Sequence, residues 1–487
     1  MYIDDFLNLL KRVGDFETKK LGFSIEKQSD SESDELFFTT DSRCIKKNTV
    51  FIAIKGHSVN GHDFVNSSFQ QGALLAIVEE AREYEGICLM VDSVIEFINR
   101  MALDQFARFA GYTIAITGSN GKTSTKEWVK NLLGAFHNVQ SVFSNKGNMN
   151  TEIGLPVCIL NELNTPKRYS VIEMGMSKKG DIEYLVDTYR VDFPVLLNVG
   201  TAHIGNTGSL ENTFQEKSQI FKHHQKEHPL CLNISDPLIK DYFNRHRSNK
   251  KICVFGNIGD KIKGFCGVYL NHIDYSFKEE RFITTFELIV SNGENESIIK
   301  QSIDGIFHRG QLLNLCASLS ILVNLQHDIF AIKDFSPFIS TVKERFEPVF
   351  KNGQLLIKDC YNSSLESLKY ALDVLEIYRM KQCQKKIYCV LGSIAEAGSH
   401  ESEIHEKIGE MLSAKHVDVV FLYTKDPVIK QIQKKYTGEI HIYEKSVELS
   451  NELVKRIREN EKAVFLFKAS RSIQLEEVYD HVMDAVD

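Results

Sequence analysis

The stretch Ile114-Ala115-Ile116-Thr117-Gly118-Ser119-Asn120-Gly121-Lys122-Thr123 constrains this chain more than any other. An apolar strand runs into a glycine-rich turn, and the pattern predicts a helix opening at Lys122. A bound triphosphate requires that order. Glycine lets the backbone come close, successive amide N–H groups aim at phosphate oxygens, and the helix N-terminus adds the positive end of its dipole. Gly118, Ser119, Asn120, Gly121, Lys122, Thr123 and Ser124 are therefore candidate ATP-binding residues. Lys122 would reach the β- and γ-phosphates, and the Thr123 hydroxyl would ligate Mg²⁺. The spacing departs from G-x-x-x-x-G-K-[ST], because the first glycine would fall on Ile116. A turn this compact also occurs as an ordinary strand-to-helix connection.

Two further apolar runs end in polar groups. Tyr169-Ser170-Val171-Ile172-Glu173 stops at an acid before Met174-Gly175, and Phe193-Pro194-Val195-Leu196-Leu197-Asn198-Val199-Gly200 precedes His203. In an open parallel sheet, ligands bind beyond the carboxyl ends of the strands, where Glu173 and His203 would lie. Singly, each reads equally as a surface acid and a loop histidine. Together with the loop they make a candidate ATP–Mg²⁺ site, since a hard cation wants oxygen ligands and tolerates an imidazole.

A chain of 487 residues exceeds what one core accommodates, and about three domains are expected. Residues 1–105 alternate short strands and helices, with Val50–Ile54 and Leu74–Val78 the clearest strands. Residues 106–332 read as a doubly wound sheet, within which Ile252–Ile303 is β-rich and suggests antiparallel strands at the sheet edge. Leu312–Leu325 reads as a buried helix. Residues 333–487 restart the βα rhythm, with strands at Leu355–Ile357, Ile387–Leu391, Val417–Tyr423 and Val464–Lys468, as in a Rossmann-like unit. The fold class is α/β throughout. A net charge of −7 without a basic stripe argues against nucleic acid as partner, and no apolar run approaches the ~20 residues that span a bilayer. The acidic start Met1-Tyr2-Ile3-Asp4-Asp5 is unlike a secretory signal, so a cytoplasmic protein is expected. The ten cysteines are scattered without a C-x-x-C pair, which points to reduced thiols. His223, His224 and His228 lack a convincing set of companion ligands and read as an exposed helix end.

The chain resembles the Mur ligase family. Asp41-Ser42-Arg43, Val50 to Gly56 and Asn60-Gly61-His62-Asp63-Phe64 carry the resemblance near the start. The centre adds Thr117 to Thr123, Asn148 to Pro156, Glu173-Met174-Gly175, His203 and Gln215 to Phe221. Asp359-Cys360-Tyr361-Asn362, Val390-Leu391-Gly392 with Glu396 and Gly398, and Lys468-Ala469-Ser470-Arg471-Ser472 follow. The resemblance implies a small N-terminal α/β domain that binds a UDP precursor, a central P-loop ATPase-like sheet and a C-terminal Rossmann-like domain. It implies an ATP-dependent amide ligase that joins D-alanyl-D-alanine to UDP-N-acetylmuramoyl tripeptide through an acyl phosphate. A monomer working in cytosolic precursor synthesis is implied as well.

Residue by residue, the resemblance implies catalytic roles for Lys122, Glu173, His203 and Lys217, the last as a CO₂-derived carbamate at a second Mg²⁺. From its residue type alone, Lys217 is a solvated helix lysine. Arg345 is implied at the phosphates and Asp359 at the ribose. Asn148, Asn150 and Thr151 would face the substrate side; Asn362, Lys468, Ser470 and Arg471 the dipeptide; Ser42 and Arg43 the uridine diphosphate. Several positions depart from the family pattern. Gly310 and Gln311 stand for a His-Asn pair, leaving Gln311 as the adenine contact, and Lys358, Ser364 and Ser393 replace Asp, Asn and Asp. Lys468-Ala469-Ser470-Arg471-Ser472 replaces a Lys-Gly-Ser-Arg-Ser segment. These departures motivate one rival, a degenerate scaffold that only binds the UDP precursor. Another Mur or folylpolyglutamate-type ligase is the second rival.

Overall fold

The computed structural model describes residues 1–13, 35–56, 59–225, 227–248, 251–278, 281–340, 343–351, 353–381, 385–424, 427–459 and 463–486. Among them three sheets organise the chain. The first is parallel, with strands Phe37–Thr39, Thr49–Ile52, Ala73–Val78 and Cys88–Met90 side by side in chain order. Helix Val94–Ala107 lays Val94, Phe97, Ile98, Met101 and Phe106 into its core, the helical spacing of an amphipathic face. The free edge of Phe37–Thr39 is covered by Asn161, whose carboxamide accepts from the Phe38 N–H at 2.9 Å and donates to its C=O at 2.8 Å. A side chain thus satisfies the edge as a strand would.

The second sheet has nine strands. Tyr112–Thr117 lies between Tyr169–Glu173 and Phe193–Leu196, so the winding reverses at the strand that feeds the glycine-rich turn. Ligands of such sheets sit beyond the strand ends at this reversal. The expectation of antiparallel strands across Ile252–Ile303 needs correction at its start. Lys251–Asn257 runs parallel to both neighbours, Pro229–Asn233 and Cys266–Lys278. Only the pairings of Arg281–Asn292 with Cys266–Lys278 and with Glu296–Asp304 are antiparallel. Aromatic and β-branched residues favour strand without encoding its direction, and helix Pro237–His246 supplies the crossover that sets it. Helix Arg309–Asn324 buries every residue from Gln311 to Leu322 and packs against helix Lys122–Phe136. Its uniformly buried surface marks it as a core helix.

The third sheet orders its strands Glu347–Lys351, Gln354–Asp359, Ala463–Lys468, Lys386–Leu391, Val419–Tyr423 and Glu439–Tyr443. All neighbours are parallel except the first pair. Between the second and third sheets, the sole tryptophan of the chain, Trp128, donates its indole N–H to the Ser340 C=O at 2.9 Å. Asn131 similarly donates to the Phe338 C=O at 3.3 Å, so helix Lys122–Phe136 holds the connector.

The nine described cysteines are free thiols. No described helix is long and apolar enough to cross a membrane. Of the clustered histidines, His223 meets Asp187 at 2.6 Å and His224 meets the His228 C=O at 2.8 Å.

Candidate active site

The glycine-rich turn ends at Gly121, whose φ of 83° suits glycine, and the helix runs Lys122–Phe136. A Cβ on Gly121 would collide with the Asn314 carboxamide. Gly121→Ala should therefore cost about 1–3 kcal/mol of backbone strain. We expect it to displace the loop, which calorimetry with ADP would register as a weakened nucleotide affinity at least tenfold down.

The loop is braced by the end of the adjacent strand. Asn198 accepts the Ser119 N–H through its backbone at 3.0 Å and the Asn120 N–H through its side chain at 2.8 Å. The Asn198 amide returns a bond to the Asn120 C=O at 2.9 Å. The expectation that all successive amides aim at phosphate is corrected here, since those two N–H groups are consumed. The first helical bond joins Thr125 N–H to Gly121 C=O, so the amides of Lys122, Thr123 and Ser124 have no helical partner and are available to an anion. Gly118 stands behind the loop, where its C=O accepts from the Lys122 ammonium at 2.9 Å. Burial pushes the Lys122 pKa below its ordinary value; Arg345 depresses it further, while Glu173 and Glu396 oppose the shift.

A cavity of about 490 Å³ opens in front of this loop. Thr123, Ser124, Glu173 and His203 line it from the central sheet, with Asn148, Asn150 and Thr151 on one flank. Glu173 accepts from the Thr123 hydroxyl at 2.8 Å and from the Asn150 amide at 2.7 Å. Its carboxylate is thereby aimed, one oxygen to each neighbour. Thr123, Glu173 and His203 offer the hydroxyl, carboxylate and imidazole that suit a nucleotide-bound Mg²⁺, so the donor set fits that ion. The Lys217 side chain is buried, at 1% exposure, and lies outside the residues that line the cavity; its ammonium makes no hydrogen bond to a described side chain. Burial, with the nearby Lys122 charge, drives its pKa well down, against a smaller opposing pull from Glu216. It is thus not a solvated helix lysine.

The C-terminal sheet closes the cavity. Arg345, Asp359, Asn362 and Lys468 all line it. Arg345 stacks on the Tyr361 ring at 4.3 Å and donates to the Thr123 hydroxyl at 3.2 Å. Lys468 donates to Asp359 at 2.6 Å and to the Asn362 C=O at 3.2 Å. Further bonds tie the two sheets at the loops themselves. Asn120 donates to the Ser364 hydroxyl at 3.1 Å. Glu366 accepts the Thr201 N–H at 3.0 Å and the Thr201 hydroxyl at 3.1 Å. Ser364, a departure from the family pattern, is thus engaged with the phosphate loop. Lys358, another, pairs with Asp480 at 2.7 Å away from the cavity.

Not every expected residue converges here. Gln311 lines the cavity, but its carbonyl oxygen accepts the His308 N–H at 3.0 Å in a reciprocal helix cap, which leaves its NH₂ and one lone pair of that oxygen for a base. Ser470 and Arg471 lie outside the lining. The Ser470 hydroxyl accepts from the Ala395 N–H at 2.9 Å, and Arg471 pairs with Glu344 and Glu476. Ser42 and Arg43 also lie outside it, in a turn of the first sheet where Arg43 bonds Asp41 at 2.7 Å. The Arg43 guanidinium holds the Asp41 carboxyl down to about 2.

Residues that the sequence reading did not single out complete the site. His308 stacks on Tyr370 with centroids 5.6 Å apart and planes 4° from parallel. Burial pushes the His308 pKa down to about 3, with Lys468 adding to the shift. The ring is neutral, and because Nδ1 accepts the Gln311 N–H at 3.2 Å, its proton resides on Nε2. Nothing local marks His308, Tyr370 or Glu366; each acts from a helix that only the tertiary fold brings to the loop.

Three family models match in series: the Mur ligase family catalytic domain over residues 36–114, the Mur ligase middle domain over 116–322, and the Mur ligase glutamate ligase domain over 344–471. The UDP-N-acetylmuramoyl-tripeptide–D-alanyl-D-alanine ligase of Haemophilus influenzae is 27% identical over 461 residues, covering 92% of this chain and 93% of the relative. The ligase of the same name from Bacillus subtilis is 28% identical, with 92% and 93% covered. Among solved structures, MurF ligase from Thermotoga maritima in complex with ADP superposes with a TM-score of 0.75 at 30% identity, covering 94% of this chain and 99% of that one.

Proposed function

The chain belongs to the Mur ligase family, and from that premise we propose that it joins D-alanyl-D-alanine to UDP-N-acetylmuramoyl tripeptide at the expense of ATP. The observation that carries this reading is the cavity between the second and third sheets. There Lys122 and Thr123, on the glycine-rich loop, line one cavity with Arg345, Asp359 and Lys468. The relatives matched along more than nine-tenths of the chain bear the name of that reaction.

A carboxylate does not condense with an amine at neutral pH until it is activated. In the proposed reaction the tripeptide carboxylate takes the γ-phosphoryl of ATP, the amine of the dipeptide attacks the acyl phosphate, and phosphate leaves. Phosphoryl transfer asks mainly for position and charge neutralisation. Lys122 and the open amides of the helix start would cradle the migrating group. Arg345, held by Tyr361, would add charge from the opposite wall. Thr123, Glu173 and His203 would hold Mg²⁺, which would neutralise phosphate charge. Asn150 fixes the Glu173 carboxylate, and the bonds of Ser364 and Glu366 keep the two walls together so that water is shut out of the acyl phosphate. Asp359 keeps one carboxylate oxygen for a ribose while the other holds Lys468.

Lys217 belongs to the proposal as a carbamate. The neutral amine is the form that adds CO₂, which would form an N–C bond, release one proton from nitrogen and turn a neutral group into an anion beside Lys122. Burial favours that neutral form. A monomeric enzyme of the cytosol and a second Mg²⁺ complete the reading. The scaffold alternative loses ground because Lys122, Thr123, Glu173 and His203 all reach one cavity.

The test is phosphate release from ATP with UDP-N-acetylmuramoyl tripeptide, with and without D-alanyl-D-alanine, read with product mass. Release that requires both, with a gain of one dipeptide less water, is expected. Tight binding of the UDP precursor without turnover would favour the scaffold.

A further inference from the structure

His203 sits in the left-handed region, with a φ of 63°, at the start of the short helix Ile204–Thr207. Its Nδ1 faces the carboxylate of Glu396, which comes from the third sheet. Glu396 is itself left-handed, with a φ of 61°. Its backbone C=O accepts the Gly205 N–H at 3.0 Å, so main chain and side chain of one residue grip two neighbours of His203's loop. The approach leaves no room for side chains. A Cβ on Gly205 would lie 2.5 Å from the Gly398 N, and one on Gly398 would lie 2.8 Å from the Gly205 Cα. His400 adds a bond to the Gly208 C=O at 3.0 Å.

The Glu396 side chain is half exposed, at 50%, so its pairing contributes little as an ion pair. What it fixes is orientation. A carboxylate beside Nδ1 would favour the tautomer with its proton there and leave Nε2 for the cavity that His203 lines. Outer partners of this kind hold metal-binding histidines in place. Here that partner arrives only with the other domain.

We propose that Glu396 is a positioning residue that orients His203 toward Mg²⁺·nucleotide and does so only when the C-terminal domain is docked. The inference rests on the Mg²⁺–ATP reading of the cavity and deepens it. Docking and assembly of the cation site become one event, and an undocked enzyme holds the nucleotide with His203 unaimed.

The test is a Mg²⁺ titration of the full chain holding ADP, followed by calorimetry. For Glu396→Ala we expect the half-saturating Mg²⁺ concentration to rise about ten- to a hundredfold, with ADP binding in EDTA within twofold of wild type. Glu396→Gln should recover most of the loss, because its amide oxygen still accepts from Nδ1–H. Gly205→Ala, which keeps the carboxylate but blocks the backbone approach, should shift the Mg²⁺ requirement as Glu396→Ala does. The proposal is overturned if Glu396→Ala keeps its Mg²⁺ requirement within twofold, if the glutamine is no better than the alanine, or if Gly205→Ala is silent. Gly205→Ala decides the matter even where Glu396→Ala fails to fold. Because the titration needs no UDP precursor, a chain that proves inactive as a ligase still answers this question.

Discussion

Lys122→Ala is expected to reduce turnover by about a thousandfold or more, roughly 4 kcal/mol of lost transition-state stabilisation. The ammonium rests on the Gly118 and Ser119 carbonyls at 2.9 and 3.3 Å, within the loop that would wrap the phosphates. An ammonium placed to stabilise the charge that redistributes as the phosphoryl group migrates acts more in the transition state than in the ground state, so the loss should fall on kcat more than on KM for ATP. Steady-state phosphate release across ATP concentrations separates the two. Near-normal kcat would remove the phosphate role from this loop.

The second large effect concerns Lys217. Its replacement by alanine should lower kcat by about 10²–10³-fold, the scale of losing one preorganised electrostatic group. Acetate or formate should then restore part of the activity by occupying the space of the missing carbamate. Stripping bicarbonate from the wild-type enzyme should mimic the mutation, and returning it should reverse the loss. A variant that loses activity and ignores added carboxylate would leave Lys217 as a buried amine with no carbamate to replace.

Much of this site was legible because local sequence encodes local geometry. An apolar run followed by Gly118-Ser119-Asn120-Gly121 fixes a strand, a turn and a helix start, and Glu173 and His203 follow from the rule that ligands collect at strand ends. What stayed hidden depends on distance along the chain. Glu366 meets Thr201 across 165 residues and Ser364 meets Asn120 across 244, and no periodicity signals such pairs. Gln311 was legible only through the family resemblance, but His308 is an unusual cap, and its claim on the Gln311 oxygen follows only from the folded backbone. The strands Glu347–Lys351 and Glu439–Tyr443 escaped notice because both lie half-buried at the edges of their sheet, where no apolar run is needed. The direction of Lys251–Asn257 is set by the crossover before it and not by its own side chains.

The bond from Trp128 to Ser340 gives the molecule a built-in optical probe. With one indole in the whole chain, every change in selectively excited tryptophan emission has a single address, on the helix proposed to receive the phosphates and beside the connector to the third sheet. Rapid mixing with nucleotide would follow the arrival of ligand and the settling of the far domain as steps in one fluorescence trace, with no label introduced.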